Sequence, residues 1–150
     1  MINRFNVRVY FLMLNEKRDA ILISDEIIGG NCFTKFPGGG LEYGEGIVDC
    51  VHREAMEELN QQVEIIKHFY TTDFLVQSKF KPTDQVISVY YLVEKRGEQQ
   101  FKTTDKKFDF SQNTQDEESF RWMKISDFHE QHFDFPADRK VAELIRSAGV

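Results

Sequence analysis

The stretch from Pro37 to Val63, PGGGLEYGEGIVDCVHREAMEELNQQV, constrains this chain more than any other. Three consecutive glycines, Gly38-Gly39-Gly40, follow a proline, and a helical period runs from Gly46 to about Asn60. Ile47, Val51, Ala55 and Leu59 recur every fourth residue, with Val48 beside them, so one helix face is apolar. Glu54, Glu57 and Glu58 are spaced i, i+3, i+4 and share another face, roughly 100° from that stripe. Like charges at this spacing destabilise a helix by about 0.2–0.5 kcal/mol per pair, and stability alone would interleave lysines. Clustered carboxylates make chemical sense when a hard divalent cation is their partner, because Mg²⁺ and Mn²⁺ prefer carboxylate oxygen. A solvated acidic face carries the same pattern, so the surroundings must decide. The glycines allow positive φ and a close backbone approach to a ligand, with a carbonyl free to point at a metal. Glu45 sits at the helix entrance, where the dipole favours an anion. Arg53 lies eight residues later and can reach back to it.

The remaining chain predicts what supports this stretch. Asn6–Leu14 alternates as a strand buried on both faces, and Ala20–Ser24 is a short apolar strand expected to pair back on it. Gly29-Gly30 is a turn, and Phe33–Phe36 leads into the glycines. Val63–Phe69, Thr72–Gln77, Val86–Glu94 and Phe120–Lys124 read as strands, Val86–Glu94 being the richest in β-branched and aromatic residues. Arg96–Glu118 is long, polar and aperiodic, with room for a hairpin around Phe101 or Phe108–Phe110; such loops are often functional. Ser126–Gln131 reads as a short helix capped by Ser126 or Asp127, and Ala137–Ala148 as a terminal helix. No repeat or linker interrupts the 150 residues, which reads as one domain.

Composition narrows the partners. A formal net charge of −6 disfavours non-specific binding to nucleic acid or membranes, both of which need basic patches. A small phosphorylated substrate is compatible with it if a metal ion offsets the repulsion. The N-terminus alternates and contains Arg8, unlike a signal peptide, and no segment has the ~18 apolar residues of a span. Cys32 and Cys50 form neither a metal-ligand spacing nor a disulfide framework. The expectation is a cytosolic protein with two free thiols.

The central stretch resembles the Nudix box: Gly, five residues, Glu, seven residues, Arg-Glu, an apolar residue, any residue, Glu-Glu, any residue, Gly, an apolar residue. Gly39, Glu45, Arg53, Glu54, Ala55, Glu57 and Glu58 match in register. The match departs at its end, with Asn60 for Gly and Gln61 for an apolar residue. Asn also suits a left-handed helix cap, so Asn60 is expected to keep the geometry, with the apolar role passing to Val63. The resemblance implies an α/β fold, a mixed β-sheet sandwiched between α-helices, and Mg²⁺- or Mn²⁺-dependent hydrolysis of a nucleoside diphosphate linked to another group. It also implies residue roles. Glu57, Glu58 and the Gly38 carbonyl would be metal ligands, Glu54 a third ligand or the general base, and Arg53 a structural partner of Glu45. Some family members take the base from a distal loop, and Asp116, Glu117 and Glu118 end such a loop here. Family members often dimerise, so a homodimer is compatible with the resemblance.

Substrate choice is less legible. Phe135-Pro136-Ala137-Asp138 is similar to a segment of mutator-type nucleoside triphosphate pyrophosphatases, in which an Asn or Asp helps read a purine edge. Asp138 is also suited to favouring the dipole of a helix opened by Pro136. Tyr10, Phe74, Tyr91 and Phe135 are candidates for stacking on a base. The expected substrate is a (d)NTP or a nucleotide-sugar type molecule. Two alternatives are a catalytically silent nucleotide-sensing module, which would ordinarily lose a box glutamate, and an isoprenoid-isomerase chemistry, which needs its own Cys–Glu pair.

Overall fold

A computed structural model describes residues 1–111 and 117–150. The strands are β1 (Arg4–Leu14), β2 (Ala20–Ile28), β3 (Asn31–Lys35), β4 (Gly38–Gly40), β5 (Val63–Thr71), β6 (Asp84–Lys95) and β7 (Glu117–Lys124). The helices are α1 (Ile47–Leu59) and α2 (Pro136–Ala148), with two 3₁₀ turns, Ile125–Asp127 and Glu130–His132, before α2. The sheet path is β3-β2-β1-β6-β5, with β4 paired to β1 and β7 paired to β2. β1 and β6 run parallel in unbroken register from Arg4↔Asp84 to Leu14↔Glu94, whereas the other pairings are antiparallel, so the sheet is mixed.

Alternation along β1 divides the core. Val9, Phe11 and Met13 face α1, where they meet Cys50, Val51, Ala55 and Leu59. Leu12 and Leu14 face α2 and meet Val141, Ala142 and Ile145. Period 2 on the strand and period 3.6 on each helix therefore produce two apolar layers with the sheet between them. The expected sandwich is present, and β1 is buried on both faces.

Several local expectations change. Ala20–Ser24 extends to Ile28 and touches β1 only at Leu14↔Ile21; its long partners are β7 and β3. The glycine turn is also a short strand, pairing Arg8↔Gly40, Val9↔Gly39 and Tyr10↔Gly38. Thr72–Gln77 is not a strand and makes one isolated bridge, Gln77↔Gln85. The short helix after β7 resolves into the two 3₁₀ turns, and neither Ser126 nor Asp127 caps the first, which starts after Lys124. Among the described residues, 96–111 form turns and no hairpin.

The end of the helical stretch explains itself. Asn60 adopts φ 52°, ψ 34°, the left-handed cap, and its N–H bonds the Ala55 and Met56 carbonyls. Val63 is buried as expected. Gln61 is buried too, and its amide is fully used. Its Nε2 donates to the Gln62 and Arg96 carbonyls at 3.0 and 3.1 Å, and its Oε1 accepts from Gln100 N at 2.9 Å. This side chain ties the end of α1 to the start of the long loop. Gln61→Leu keeps the volume and removes those bonds. It should lower unfolding free energy in urea by about 1–3 kcal/mol, the cost of leaving buried partners unsatisfied, and speed proteolysis within residues 96–111.

Candidate active site

The site is assembled around Arg53 on α1. Its Nε and Nη2 form a two-pronged bond with Glu45, at 2.9 and 2.7 Å. Nη2 also donates to the Gly40 carbonyl at 3.0 Å, and Nη1 donates to Glu54 at 2.9 Å and Glu57 at 3.1 Å. One guanidinium thus holds the loop before the helix, strand β4 and two box glutamates. Arg53 holds the Glu45 carboxyl down at about 2, and Glu45 in turn raises the Arg53 pKa. Cys50, buried beside this pair, has its thiol pushed up to about 12 by burial and then by Glu45, so it is packing and not a nucleophile.

The glycines have separate reasons. Gly38 takes φ +149°, and a Cβ there would lie 2.2 Å from the Val9 carbonyl oxygen. A Cβ on Gly39 would lie 2.3 Å from Glu54 Oε1. Helix α1 therefore meets β4 where there is no side chain, and Glu54 fills the space.

Glu58 lies on the inner side of the same face. Its Oε2 is buried and has no hydrogen-bond partner. Strand β7 delivers Glu118 and strand β2 delivers Glu26, directly opposite one another. Lys35 of β3 pairs with Glu26 at 3.1 Å, and Ser24 Oγ donates to Glu26 and Glu118 at 3.2 and 3.3 Å. Burial raises the Glu58 pKa, with Glu118 adding to it; burial likewise raises Glu118, with Glu26 adding. A buried carboxylate oxygen without a donor is what a hard cation would satisfy, and the oxygen-only donor set of Glu54, Glu57, Glu58 and Gly38 fits Mg²⁺ or Mn²⁺. Among the described residues, no three acids converge closely enough here to enclose an ion, because Glu54 and Glu57 both turn towards Arg53.

Glu117 and Glu118 make different contacts. Glu118 reaches this cluster, whereas Glu117 accepts from Ser111 N and Oγ at 2.7 and 2.9 Å. Both sit at the start of β7, and strand alternation sends them to opposite faces. Asp116 lies outside the described residues. Glu26, Lys35 and Arg8 were not among the expected site residues. Their signal is polar residues within the largely buried strands RVYFLML, AILISDEII and NCFTK, which the helix motif overshadows.

Two clefts adjoin the cluster. One, of about 630 Å³, is lined by Arg8, Tyr10, Glu26, Lys35, Phe80 and Phe135, among others. The second, of about 480 Å³, is lined by Glu57, Glu58, Glu118, Phe101, Thr104 and Asp109, among others. The cross-strand pair Glu26–Glu118 stands between them. Of the proposed stacking residues, Tyr10 and Phe135 line the larger cleft, Phe74 lines a shallower one beside His129, and Tyr91 packs edge-on to His68 at 5.5 Å. Asp138 lines neither of these two clefts. It is buried behind Tyr90, whose hydroxyl donates to it at 2.6 Å, so it is enclosed where a base edge cannot reach it.

The family model for the NUDIX domain matches residues 4–145. The chain belongs to the Nudix family. Solved Nudix structures share its fold. A MutT structure from work on the Aliivibrio salmonicida and Vibrio cholerae proteins is 20% identical, with TM-score 0.64, covering 96% of this chain and 98% of that one. The Bacillus halodurans MutT protein is 16% identical, with TM-score 0.66 and coverage of 96% and 84%. The Methanosarcina mazei MutT protein is 17% identical, with TM-score 0.67 and coverage of 95% and 94%. No curated protein sequence matched the chain. This Nudix hydrolase comes from a family that acts generally on nucleoside diphosphate derivatives and uses divalent cations. Among the described residues, no helix is long and apolar enough to cross a membrane.

Two outcomes follow from the packing. Gly39→Ala must displace Glu54, and the fold should lose about 1–3 kcal/mol, as overpacked sites do, measured by urea unfolding. Burial pushes the Asp138 carboxyl up to about 7. An unfolded aspartate titrates near about 4. Between those values the unfolded chain releases the proton and the folded chain keeps it, so this contribution to stability is complete at low pH and lost as pH rises through 7. Asp138→Asn should therefore gain stability relative to wild type between pH 4.5 and 8, compared by urea midpoints in the presence of a chelator.

Proposed function

We propose that this chain, as one catalytic domain, hydrolyses a phosphoanhydride bond in a small nucleotide, a nucleoside diphosphate linked to another group, in the cytosol. The observation that carries this reading is the placement of half-buried Glu58 and solvent-facing Glu118, both of raised pKa, on the smaller cleft, with Glu26 opposite Glu118 on the larger one. A diphosphate lying between the two clefts reaches the carboxylates with one end of the substrate in each cleft.

Bound Mg²⁺, with Mn²⁺ as a substitute, supplies charge neutralisation of the diphosphate and acidifies water there. Glu57, Glu58 and the Gly38 carbonyl would hold it, with Glu54 as a further ligand. The chain itself does the positioning. Arg53 fixes Glu54 and Glu57, and Gly39 lets Glu54 approach the backbone. Glu118 is favoured over Glu117 as proton acceptor from the attacking water. Its pKa is raised to about 7, which suits general base work. Lys35 screens Glu26 on the wall of the larger cleft.

The larger cleft offers Phe80 and Phe135 to a nucleoside. The enclosure of Asp138 argues against base selection of the mutator type at that residue. A nucleotide-sugar type substrate fits two clefts better than a triphosphate does, because the smaller cleft carries side chains suited to hydroxyl groups, including Thr104 and Asp109.

The decisive experiment is turnover of a nucleotide panel with Mg²⁺, with products identified by mass. At least one nucleoside diphosphate derivative should give a nucleoside monophosphate. Glu57→Gln should lower kcat by at least about 100-fold, and Glu118→Gln by about 10²–10⁴-fold, the usual worth of a general base. Unchanged turnover in Glu57→Gln would sink the metal-ligand assignment. Nucleotide binding with no product from any panel member would favour the silent sensing module.

A further inference from the structure

Five cationic side chains line the larger cleft: Arg4, Arg8, Lys35, Lys79 and Lys81. Arg4 is committed to Asp84, with bonds at 3.0 and 2.9 Å, and Lys35 to Glu26 at 3.1 Å. Lys79 and Lys81 are exposed, Lys79 lying over the Phe33 ring. Arg8 differs from all four. It is half-buried, and among the described residues no carboxylate lies within ion-pair distance of its guanidinium.

Its surroundings aim it without a contact ion pair, although Glu54 and Glu26 attract its charge from farther off. Arg8 Nε donates to the Tyr10 hydroxyl at 3.3 Å, and its guanidinium carbon lies 6.0 Å from that ring's centre. Tyr10 is itself braced by Tyr90, ring centres 5.2 Å apart, and by Lys35 at 5.3 Å from its centre. The strand register sets Arg8 opposite Gly40. A Cβ on Gly40 would lie 3.3 Å from Arg8 Nη1, so the third glycine leaves the guanidinium its space. On its other face Gly40 gives its carbonyl to Arg53. Arg8 therefore stands one residue's width from the Arg53–Glu54 centre, on the side of the larger cleft.

A half-buried guanidinium held by a phenol, with no carboxylate in contact among the described residues, suits an anion that takes its remaining N–H groups. Its free N–H groups match phosphate oxygens in a fork. We propose that Arg8 is the residue that grips the phosphoryl group attached to the nucleoside, making the larger cleft a nucleoside monophosphate subsite. This deepens the proposed hydrolase reading and rests on it. Arg8 then selects substrates whose nucleoside end carries a phosphate, and it retains that end as product while the other end leaves through the smaller cleft. Gly40 acts as a positioning residue through the space it leaves.

The test is calorimetric titration of the full chain in EDTA with AMP, GMP, CMP and UMP, and with the four corresponding nucleosides. Wild type should bind at least one monophosphate about tenfold or more tightly than its nucleoside. Arg8→Gln should abolish that preference while leaving nucleoside affinity within about twofold. Gly40→Ala, which displaces the guanidinium, should reduce the preference in part. Arg8→Lys keeps the charge and loses the fork, so it keeps the variant series readable if Arg8→Gln does not fold, and its preference should fall at least threefold. The inference is overturned if wild type shows no preference for a monophosphate, if Arg8→Gln retains it, or if monophosphate and nucleoside affinities fall together. Because the titration uses no metal and no turnover, it separates from the hydrolase reading: Glu57→Gln should bind monophosphate as wild type does, even when it hydrolyses nothing.

Discussion

The site depends on one guanidinium. Arg53 has five N–H donors and no acceptor, and all five are used: two on Glu45, one each on Glu54 and Glu57, and one on the Gly40 carbonyl. The carboxylates on α1 and at its entrance would repel one another without it. A lysine has three donors and no planar fork, so it could not hold this set. The same contacts lock the pre-helix loop and β4 onto α1, so the geometry of the acids and the path of the backbone are a single arrangement.

That arrangement works only because β4 has no side chains where α1 and Arg8 approach. Gly39 meets Glu54 and Gly40 meets Arg8, one on each side of the three-residue strand. Pairing with β1 puts the glycines in the sheet and not in a free loop, so the acids of α1 are referenced to the strands. The sheet can then add Glu26 and Lys35 from the consecutive strands β2 and β3, and Glu118 from β7, far along the chain. An acidic helix face thereby becomes the centre of a site with two sides.

Local patterns were legible where one element supplies all the contacts. The helix and its Asn60 cap follow from period and conformational preference, and the Glu45–Arg53 pair follows from reach. Gln61, where the family motif fails, reads in the sequence only as a position whose apolar role passes to Val63. It is instead a buried anchor for residues far along the chain, which spacing within the motif cannot reveal. Asp138 fits a base-reading motif by sequence, yet Tyr90, 48 residues away, encloses it. Glu117 and Glu118 look equivalent until strand pairing separates them. Thr72–Gln77 has the apolar content of a strand but no long partner to bond.

By itself the sequence determined the reaction family and the helix that carries it. Those depend on residue types at fixed spacing along one helix, a short-range property that survives in a linear string. The tertiary structure alone decided which acids from other strands join that helix, which candidate residues are enclosed, and that Arg8 lines a cleft with no carboxylate among the described residues at ion-pair distance. Each depends on contacts between residues tens of positions apart, set by strand register and by burial. A shift of one residue in β7 would exchange Glu117 for Glu118, and no feature of the linear sequence marks the difference.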